Sequence, residues 1–248
     1  KNQPVPWAVI VIAIPFFIIG INMGTVRQGL ALSIILVALT HLHSSIPKYC
    51  MWVFLAMLFH KSAFLMFGMV FLTIRNFYSL LLLSLLGLII IYIGSQLYAV
   101  RILFLSYILG QEYQSDGALI RVLVSSLPFF GSLLFFKRIN ESFPDTWIYM
   151  WIGIGTVILL IFSSSFSTLV DRLAYYTIPL QLALWPRIIA VQKTDLLKSY
   201  MTFSVIAGYL AILYVWLVFA NHSWAWIPYQ IFWTGEVSAS PKTLCLNG

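Results

Sequence analysis

Charged residues are scarce in this 248-residue chain, and acidic residues are the scarcest of them. Only 8% of the residues are charged, with seven Asp and Glu against fourteen Lys and Arg, which gives a formal net charge of +7. An arginine within or beside a membrane helix is costly and usually has an anionic partner or a function. Because the acids are too few to pair with every cation, some basic side chains are available to bind an anion from outside the chain.

Motifs for metal, redox and nucleotide chemistry are also missing. Cys50 and Cys245 lie far apart and have no metal-binding or redox spacing. His41 and His43 are two residues apart, which does not place both rings on one helical face, so a zinc site is not expected. The sequence has no phosphate loop, dinucleotide-binding glycine fingerprint or serine nucleophile elbow. We therefore expect no metal, no cofactor and no nucleotide-driven chemistry within this chain.

Hydrophobic residues make up most of what is present. They account for 61% of the chain, aromatics for 17%, and the mean hydropathy is +0.96. Runs such as Leu80–Ile93 are apolar on every side, whereas a membrane β-strand would alternate. The basic residues lie scattered between these runs and form no basic stripe, so no nucleic-acid partner is expected. The fold class predicted is an all-α polytopic membrane protein.

Apolar runs separated by polar breaks predict about eight transmembrane helices in a single polytopic domain covering residues 1–248. The candidate spans are Val5–Asn22, Gln28–Leu42, Tyr49–Ile74, Phe77–Gly94, Ala118–Phe136, Trp147–Phe162, Leu173–Val191 and Tyr200–Phe219.

The longest segment between spans, Ser95–Gly117, is predicted to be an interfacial or pocket-covering loop. Its apolar stretch, Ile102–Leu109, is too short to cross about 30 Å of hydrocarbon. The loop contains Glu112 and Asp116 and is followed by Arg121. Two acids can therefore approach the face that carries this arginine.

The third candidate span, Tyr49–Ile74, contains His60-Lys61-Ser62 near its centre and allows two topologies. If it crosses the membrane, six basic residues lie on one side and seven on the other. If it dips in and returns, eight lie on one side and five on the other, which agrees better with the positive-inside rule. The re-entrant alternative also places Arg27, Arg121 and Arg172 together on the outer face. Such a segment must be buried in protein or line a wet cavity.

Arg27, Arg121 and Arg172 each precede a long apolar run. Arg27 is followed by Gln28 and Gly29 at the predicted start of a helix, where free amides and the helix dipole favour an anion. Its guanidinium adds a bidentate fork for phosphate. The alternative is that Arg27 is an interfacial anchor that reaches the lipid headgroups, but such an anchor needs neither Gln28 nor Gly29 beside it.

His60 and Lys61 lie within an apolar stretch, where ionisable groups are expensive. In one interpretation His60 hydrogen-bonds a neighbouring helix and Lys61 extends to the interface. In the other the pair lines a polar cavity, with His60 as a proton acceptor or a ligand donor.

Asp171 and Arg172 are followed by Tyr175 and Tyr176 at helical spacing. Asp171 to Tyr175 and Arg172 to Tyr176 are both i,i+4 pairs, which predicts one helix start that carries acid, guanidinium and phenol together. The two phenols would also suit stacking against sugar rings. A local ion pair with an aromatic belt is the alternative.

In order along the chain, Arg27–Ala31, Phe59–Ala63, Arg121 and the Asp171–Tyr176 segment resemble the EpsG-like family. That family is related to the Wzy-type polymerases of bacterial O-antigen, capsule and exopolysaccharide synthesis. The resemblance covers roughly residues 20–190, and the first two motifs at their mutual spacing are its strongest part. Family members usually carry further N-terminal spans, so we expect that this chain lacks the N-terminal spans of a longer protein.

The resemblance implies a multi-pass protein of the bacterial inner membrane, similar to the lipid-sugar-dependent glycosyltransferases of GT-C-like fold. Such an enzyme transfers a growing glycan from undecaprenyl diphosphate to the sugar of another lipid-linked repeat unit. Undecaprenyl-diphosphate-linked oligosaccharide and membrane lipid would be its ligands, and a chain-length regulator and a flippase its partners. The expected substrate-binding residues are Arg27, Gln28, Lys61, Arg121, Arg172, Tyr175 and Tyr176, and the candidate catalytic bases are His60, Asp171 and Asp116.

Two other classes use similar residues. A flippase or transporter of lipid-linked oligosaccharide would place the arginines along a translocation path, but the sequence shows no internal pseudo-symmetry. A membrane acyltransferase that modifies the polysaccharide would need a His-centred acyl-transfer site, and His60 alone is thin support for one.

Overall fold

The structure, a computed structural model, describes residues 3–73 and 117–219 together with Tyr78, Leu81, Leu85, Gly87, Leu88 and Tyr92. All regular elements within these residues are helical, which confirms the predicted all-α class. The predicted span Phe77–Gly94 and the loop Ser95–Gly117, including Asp116, fall almost entirely outside the described residues.

The described residues form ten α-helices joined by short irregular or tightened turns. They are α1 (Pro6–Ala13), α2 (Val26–Leu42), α3 (Ile46–Phe59), α4 (Gly68–Phe71), α5 (Ala118–Leu134), α6 (Phe136–Ser142), α7 (Thr146–Phe162), α8 (Ser167–Ala174), α9 (Ile178–Ala190) and α10 (Asp195–Phe219). A π-helical stretch, Ile14–Met23, continues α1, a 3₁₀ stretch, Lys61–Phe67, leads into α4, and a 3₁₀ turn, Tyr175–Thr177, joins α8 to α9.

Two helices in the described residues are long and apolar enough to cross a membrane, namely Pro6–Met23 and Asp195–Phe219. The count rises to three if α5 and α6, which meet at a bend of 89°, form one broken span. The longest of the other helices have 17 residues, or about 25 Å of rise against about 30 Å of hydrocarbon. The chain is therefore a membrane protein, while the eight crossings and the GT-C-like arrangement stay predictions.

The third candidate span is not a straight helix. The Tyr49 hydroxyl donates a hydrogen bond of 2.6 Å to the carbonyl oxygen of Met66, 17 residues away. In a continuous helix the two residues would lie about 25 Å apart along the axis. The chain instead reverses at His60, whose backbone is extended with φ −149° and ψ 120°. A single helical crossing by Tyr49–Ile74 was thus the wrong alternative, and we call residues Ile46–Phe71 the 46–71 hairpin.

Small residues allow the helices to approach closely. This is usual in membranes, because lipid is as apolar as the helix surfaces and the hydrophobic effect does not drive helices together. The ring of Phe129 in α5 lies directly over Gly153 in α7. A Cβ atom on Gly29 in α2 would lie 2.9 Å from the Cα atom of Asn22, so a larger residue would separate α2 from the preceding π-helical stretch.

Residues 1–206 form one compact unit, and residues 207–248 form a second. The described part of the second unit is the C-terminal portion of α10. Within the first unit α9 is buried along almost its whole length. The single domain predicted for residues 1–248 stays a prediction.

Among the described residues of the first unit, the most deeply buried charge is Arg187 in α9, which is 1% exposed. Its guanidinium donates to the Asp145 carboxylate over 2.8 Å and lies above the rings of Phe143 and Tyr149, 4.9 Å and 4.7 Å from their centres. From the sequence alone, Arg187 was one of the scattered loop cations. Its interactions inside the protein make it a structural residue instead.

Removing the hydroxyl of Tyr49 is expected to weaken the 46–71 hairpin. Tyr49→Phe leaves the Met66 carbonyl without its donor in a buried position, so unfolding should become easier by about 1–3 kcal/mol. Thermal unfolding of the purified protein in detergent measures this. Tyr200→Phe is the control, because Tyr200 is 68% exposed. Equal stability of the two variants would show that the Tyr49 bond does not hold the reversal.

Single cysteines introduced at Gly24 and Arg138 are expected to label from opposite sides of the membrane. Both positions are exposed. Together with the predicted fourth span, the chain reversal places the start of α2 and the end of α5 on opposite faces. An impermeant maleimide applied to spheroplasts of a Cys50→Ser, Cys245→Ser background should label Gly24→Cys directly and Arg138→Cys after permeabilisation. Labelling of both cysteines from the same side would contradict the reversal and support a straight crossing by Tyr49–Ile74.

Candidate functional site

Four of the sequence motifs meet around α8 and the 3₁₀ turn that follows it. Gln28 of α2 donates to the carbonyl oxygen of Arg172, and Ser62 of the 46–71 hairpin hydrogen-bonds Tyr176. Arg121 of α5 forms an ion pair with Asp171. We call this group the α8 site; its members are Arg27, Gln28, His60, Lys61, Ser62, Arg121, Asp171, Arg172, Tyr175 and Tyr176.

The start of α2 contributes an exposed guanidinium beside a buried amide. Arg27 is exposed at the second position of the helix, and Gln28 is 2% exposed. The Gln28 amide nitrogen lies 3.4 Å from the carbonyl oxygen of Arg172, while its oxygen is buried without a partner among the described residues. No side chain caps the N-terminus of α2. Gln28 therefore joins α2 to α8 and places Arg27 at the edge of the α8 site.

The tip of the 46–71 hairpin contributes an imidazole and a hydroxyl. His60 Nδ1 lies 2.6 Å from Ser62 Oγ, and the same Oγ lies 2.6 Å from the Tyr176 hydroxyl. His60 is half-buried, and it interacts electrostatically with Arg172. Its Nε2 atom has no hydrogen-bond partner in the described part of the chain. The reversal thus brings the Nδ1 edge of the imidazole into a hydrogen-bond chain and leaves the Nε2 edge available to a ligand.

The carboxylate of the α8 site is already paired. Asp171 and Arg121 have side chains that are 14% and 18% exposed, and the Arg121 guanidinium lies 4.8 Å above the centre of the Tyr175 ring. The sequence had predicted that Asp171 would lie along one helix with Tyr175. In the structure Asp171 pairs with Arg121 of another helix, and the same guanidinium covers Tyr175. Arg121 is accordingly not an isolated cation.

The two phenols are less accessible than the sequence suggested. Tyr175 and Tyr176 are each 7% exposed, so their faces are not available to stack against sugar rings as predicted. Tyr175 lies under Arg121, and Tyr176 holds Ser62 through its hydroxyl. Both support other members of the α8 site.

Arg172 occupies the last turn of the eight-residue α8 rather than the start of a long helix. A cation there complements the negative end of the helix dipole. Arg27, Lys61 and Arg172 are all exposed, and none has a carboxylate partner within residues 3–73 and 117–219. With Arg121 neutralised by Asp171, the α8 site carries three positive charges that no carboxylate of the described residues compensates. A multiply charged anion such as a diphosphate fits this field.

Ser62 was not among the site residues predicted from the sequence. The available signal was a hydroxyl two residues after a histidine in a polar break, which is a weak one. Asp116, the remaining candidate base, lies outside the described residues, as does Glu112.

A sequence model of the EpsG family matches residues 1–231, which include every residue of the α8 site. No curated protein matches the chain. No solved structure matches it either. The family match covers most of the chain and agrees with the resemblance that the motifs carry. The chain belongs to the EpsG family.

Proposed function

We propose that the protein is a polysaccharide polymerase that transfers a glycan from undecaprenyl diphosphate to the sugar of another lipid-linked repeat unit. Membership of the EpsG family supports the broader class, a membrane glycosyltransferase-like polymerase of polysaccharide biosynthesis. The observation that carries the proposal is the hydrogen bond from Gln28, which follows the exposed Arg27, to the backbone of the exposed Arg172. We place this site at the outer face of the bacterial inner membrane.

In this proposal Arg27 and Arg172 hold the diphosphate. Transfer breaks the bond between the anomeric carbon and a diphosphate oxygen and forms a bond from that carbon to the acceptor hydroxyl oxygen. Negative charge grows on the departing oxygen as the bond breaks, and donors aimed at that oxygen stabilise the transition state more than the bound substrate. Guanidinium groups suit this task because they donate two parallel hydrogen bonds to phosphate oxygens. Lys61 adds a third cation at the tip of the 46–71 hairpin.

The Arg121–Asp171 pair positions the site in this proposal rather than binding substrate. Asp171 precedes Arg172 near the end of α8, and Arg121 covers Tyr175 in the 3₁₀ turn that follows. The pair therefore links the end of α8 to this turn. A carboxylate that is bound to a guanidinium is a poor base for the acceptor hydroxyl. Of the candidate bases, this leaves Asp116 and His60, and His60 is the one within the described residues.

Loss of either unpaired arginine is expected to abolish most of the activity. Arg27→Ala and Arg172→Ala should each lower kcat/KM by about 100-fold or more, since each removes a donor to the developing charge. The assay uses purified protein in nanodiscs with a synthetic lipid-linked repeat unit and no nucleotide or acyl donor, and it measures longer lipid-linked chains. Arg138→Ala, an exposed cation on α6, is the matched control and should keep full activity.

Unchanged polymerisation by both arginine variants would refute the proposed mechanism. If intact wild-type protein makes no longer chains, the polymerase itself is refuted. Movement of the labelled repeat unit across proteoliposome membranes without elongation would then support a flippase. Modification that requires an added acyl donor would support an acyltransferase.

Exchanging the charges of Arg121 and Asp171 is expected to separate positioning from substrate contact. Each alanine variant leaves a half-buried charge unpaired and should lose activity and thermal stability. Arg121→Asp and Asp171→Arg each place two like charges together, and their combination restores the attraction, so a double-mutant cycle over these three variants should show a coupling of about 0.5–3 kcal/mol. Recovery will be partial, because the exchanged arginine no longer covers Tyr175. A folded exchange variant as inactive as the single variants would indicate that one of the two residues contacts the substrate.

A further inference from the structure

The proton arrangement along His60, Ser62 and Tyr176 decides what the histidine can do. Two contacts of 2.6 Å link His60 Nδ1 to Ser62 Oγ and Ser62 Oγ to the Tyr176 hydroxyl. Each contact needs one hydrogen, and a neutral imidazole carries its proton on either Nδ1 or Nε2. The heavy atoms therefore allow donation along the chain in either direction, which leaves His60 in opposite tautomers, or donation from both His60 and Tyr176 to the two lone pairs of Ser62 Oγ.

If His60 Nδ1 donates, Ser62 accepts from it and donates to the Tyr176 oxygen. The Tyr176 hydroxyl hydrogen then has no acceptor in the described part of the chain, although Tyr176 is 7% exposed. If Tyr176 donates to Ser62 and Ser62 donates to Nδ1, every hydrogen of the two contacts is used, whereas donation to Ser62 from both ends leaves the Ser62 hydrogen without an acceptor among the described residues. Burying an unpaired hydroxyl hydrogen costs about 1–3 kcal/mol. Hydrogen-bond accounting thus favours donation from Tyr176 through Ser62 to Nδ1.

This direction places the His60 proton on Nε2, the ring atom without a partner among the described residues. The ring is then neutral and presents an N–H donor. A neutral ring also avoids a second positive charge close to Arg172, with which His60 interacts electrostatically. The resting tautomer has no lone pair on the open edge with which to take a proton from an acceptor hydroxyl.

We propose that His60 acts as a neutral hydrogen-bond donor, through Nε2–H, to a phosphate oxygen of the bound lipid diphosphate, and that Ser62 and Tyr176 are positioning residues that fix this tautomer. This inference rests on the proposed polymerase function and changes the role that the sequence gave to His60. The donor stabilises charge on the departing oxygen without transferring its proton. The proton of the acceptor hydroxyl goes to an oxygen of the departing lipid diphosphate, which leaves in the singly protonated form, so the step balances.

Two amide substitutions separate a donor from a base. In His60→Gln the amide nitrogen reaches the position of Nε2 and donates there, but it is not basic. In His60→Asn the amide lies near the position of Nδ1, so contact with Ser62 is retained and the donor at Nε2 is lost. We expect His60→Gln to keep polymerisation within about tenfold of wild type and His60→Asn to lose about 100-fold or more. A general base would leave both variants equally inactive, and that outcome would overturn the proposal.

The tautomer is measured directly by ¹⁵N NMR of histidine-labelled protein in nanodiscs, with the His60 signals assigned by their absence in His60→Gln. We expect a protonated Nε2 and an unprotonated, hydrogen-bonded Nδ1. Tyr176→Phe should shift the Nδ1 signal and lower the polymerisation rate, whereas Tyr200→Phe should change neither. A protonated Nδ1 in the wild type, or a Tyr176→Phe variant with unchanged signal and rate, would contradict the assigned direction.

Failure of this inference and failure of the polymerase proposal give different results. An active wild type in which His60→Gln is as weak as His60→Asn rejects the donor role and leaves the polymerase standing. A folded wild type that makes no longer chains rejects the polymerase, and with it the diphosphate ligand of His60. Thermal unfolding of each variant identifies any loss of rate that comes from unfolding.

Discussion

The chain reversal at His60, held by the hydrogen bond from Tyr49 to Met66, is the constraint on which the α8 site depends. Extended backbone inside an apolar segment is tolerated only where protein packs around it or where it lines a wet cavity. Here the tip of the 46–71 hairpin meets the turn after α8, so Ser62 contacts Tyr176. In a straight helix His60, Lys61 and Ser62 would lie in the middle of a span, away from the turn after α8.

The scarcity of acids determines the electrostatics of the structure. Asp145 neutralises the buried Arg187, and Asp171 neutralises Arg121. Each pairing removes one of only seven carboxylates in the chain. The cations that remain exposed at the α8 site, Arg172 among them, therefore have no internal partner in the described residues. A composition with twice as many cations as acids thus leaves exposed cations at the α8 site, and in the proposed function these cations hold the diphosphate.

Composition and apolar runs were sufficient to predict the helical membrane class, and the motif order was sufficient to indicate the family. The contacts between motifs were not predictable, because the helical i,i+4 rule describes neighbours along one helix only. It related Asp171 to Tyr175 but could not indicate Arg121, which lies 50 residues from Asp171 in sequence and contacts both. Ser62 was missed for the same reason, since its importance comes from a tyrosine 114 residues away.

A neutral donor beside two guanidinium groups fits the demands of the proposed reaction. Diphosphate is charged both in the bound substrate and in the product, so additional cations would bind all states more tightly and slow product release. A hydrogen bond from His60 Nε2 is directional, and its strength follows the charge on the one oxygen that it faces. The arginines and the imidazole held by Ser62 would then both stabilise the departing oxygen, the arginines through their charge and the imidazole through a directional hydrogen bond. In this proposal the hydrogen bonds from Tyr176 through Ser62 keep the His60 ring neutral and direct its Nε2–H towards the departing oxygen.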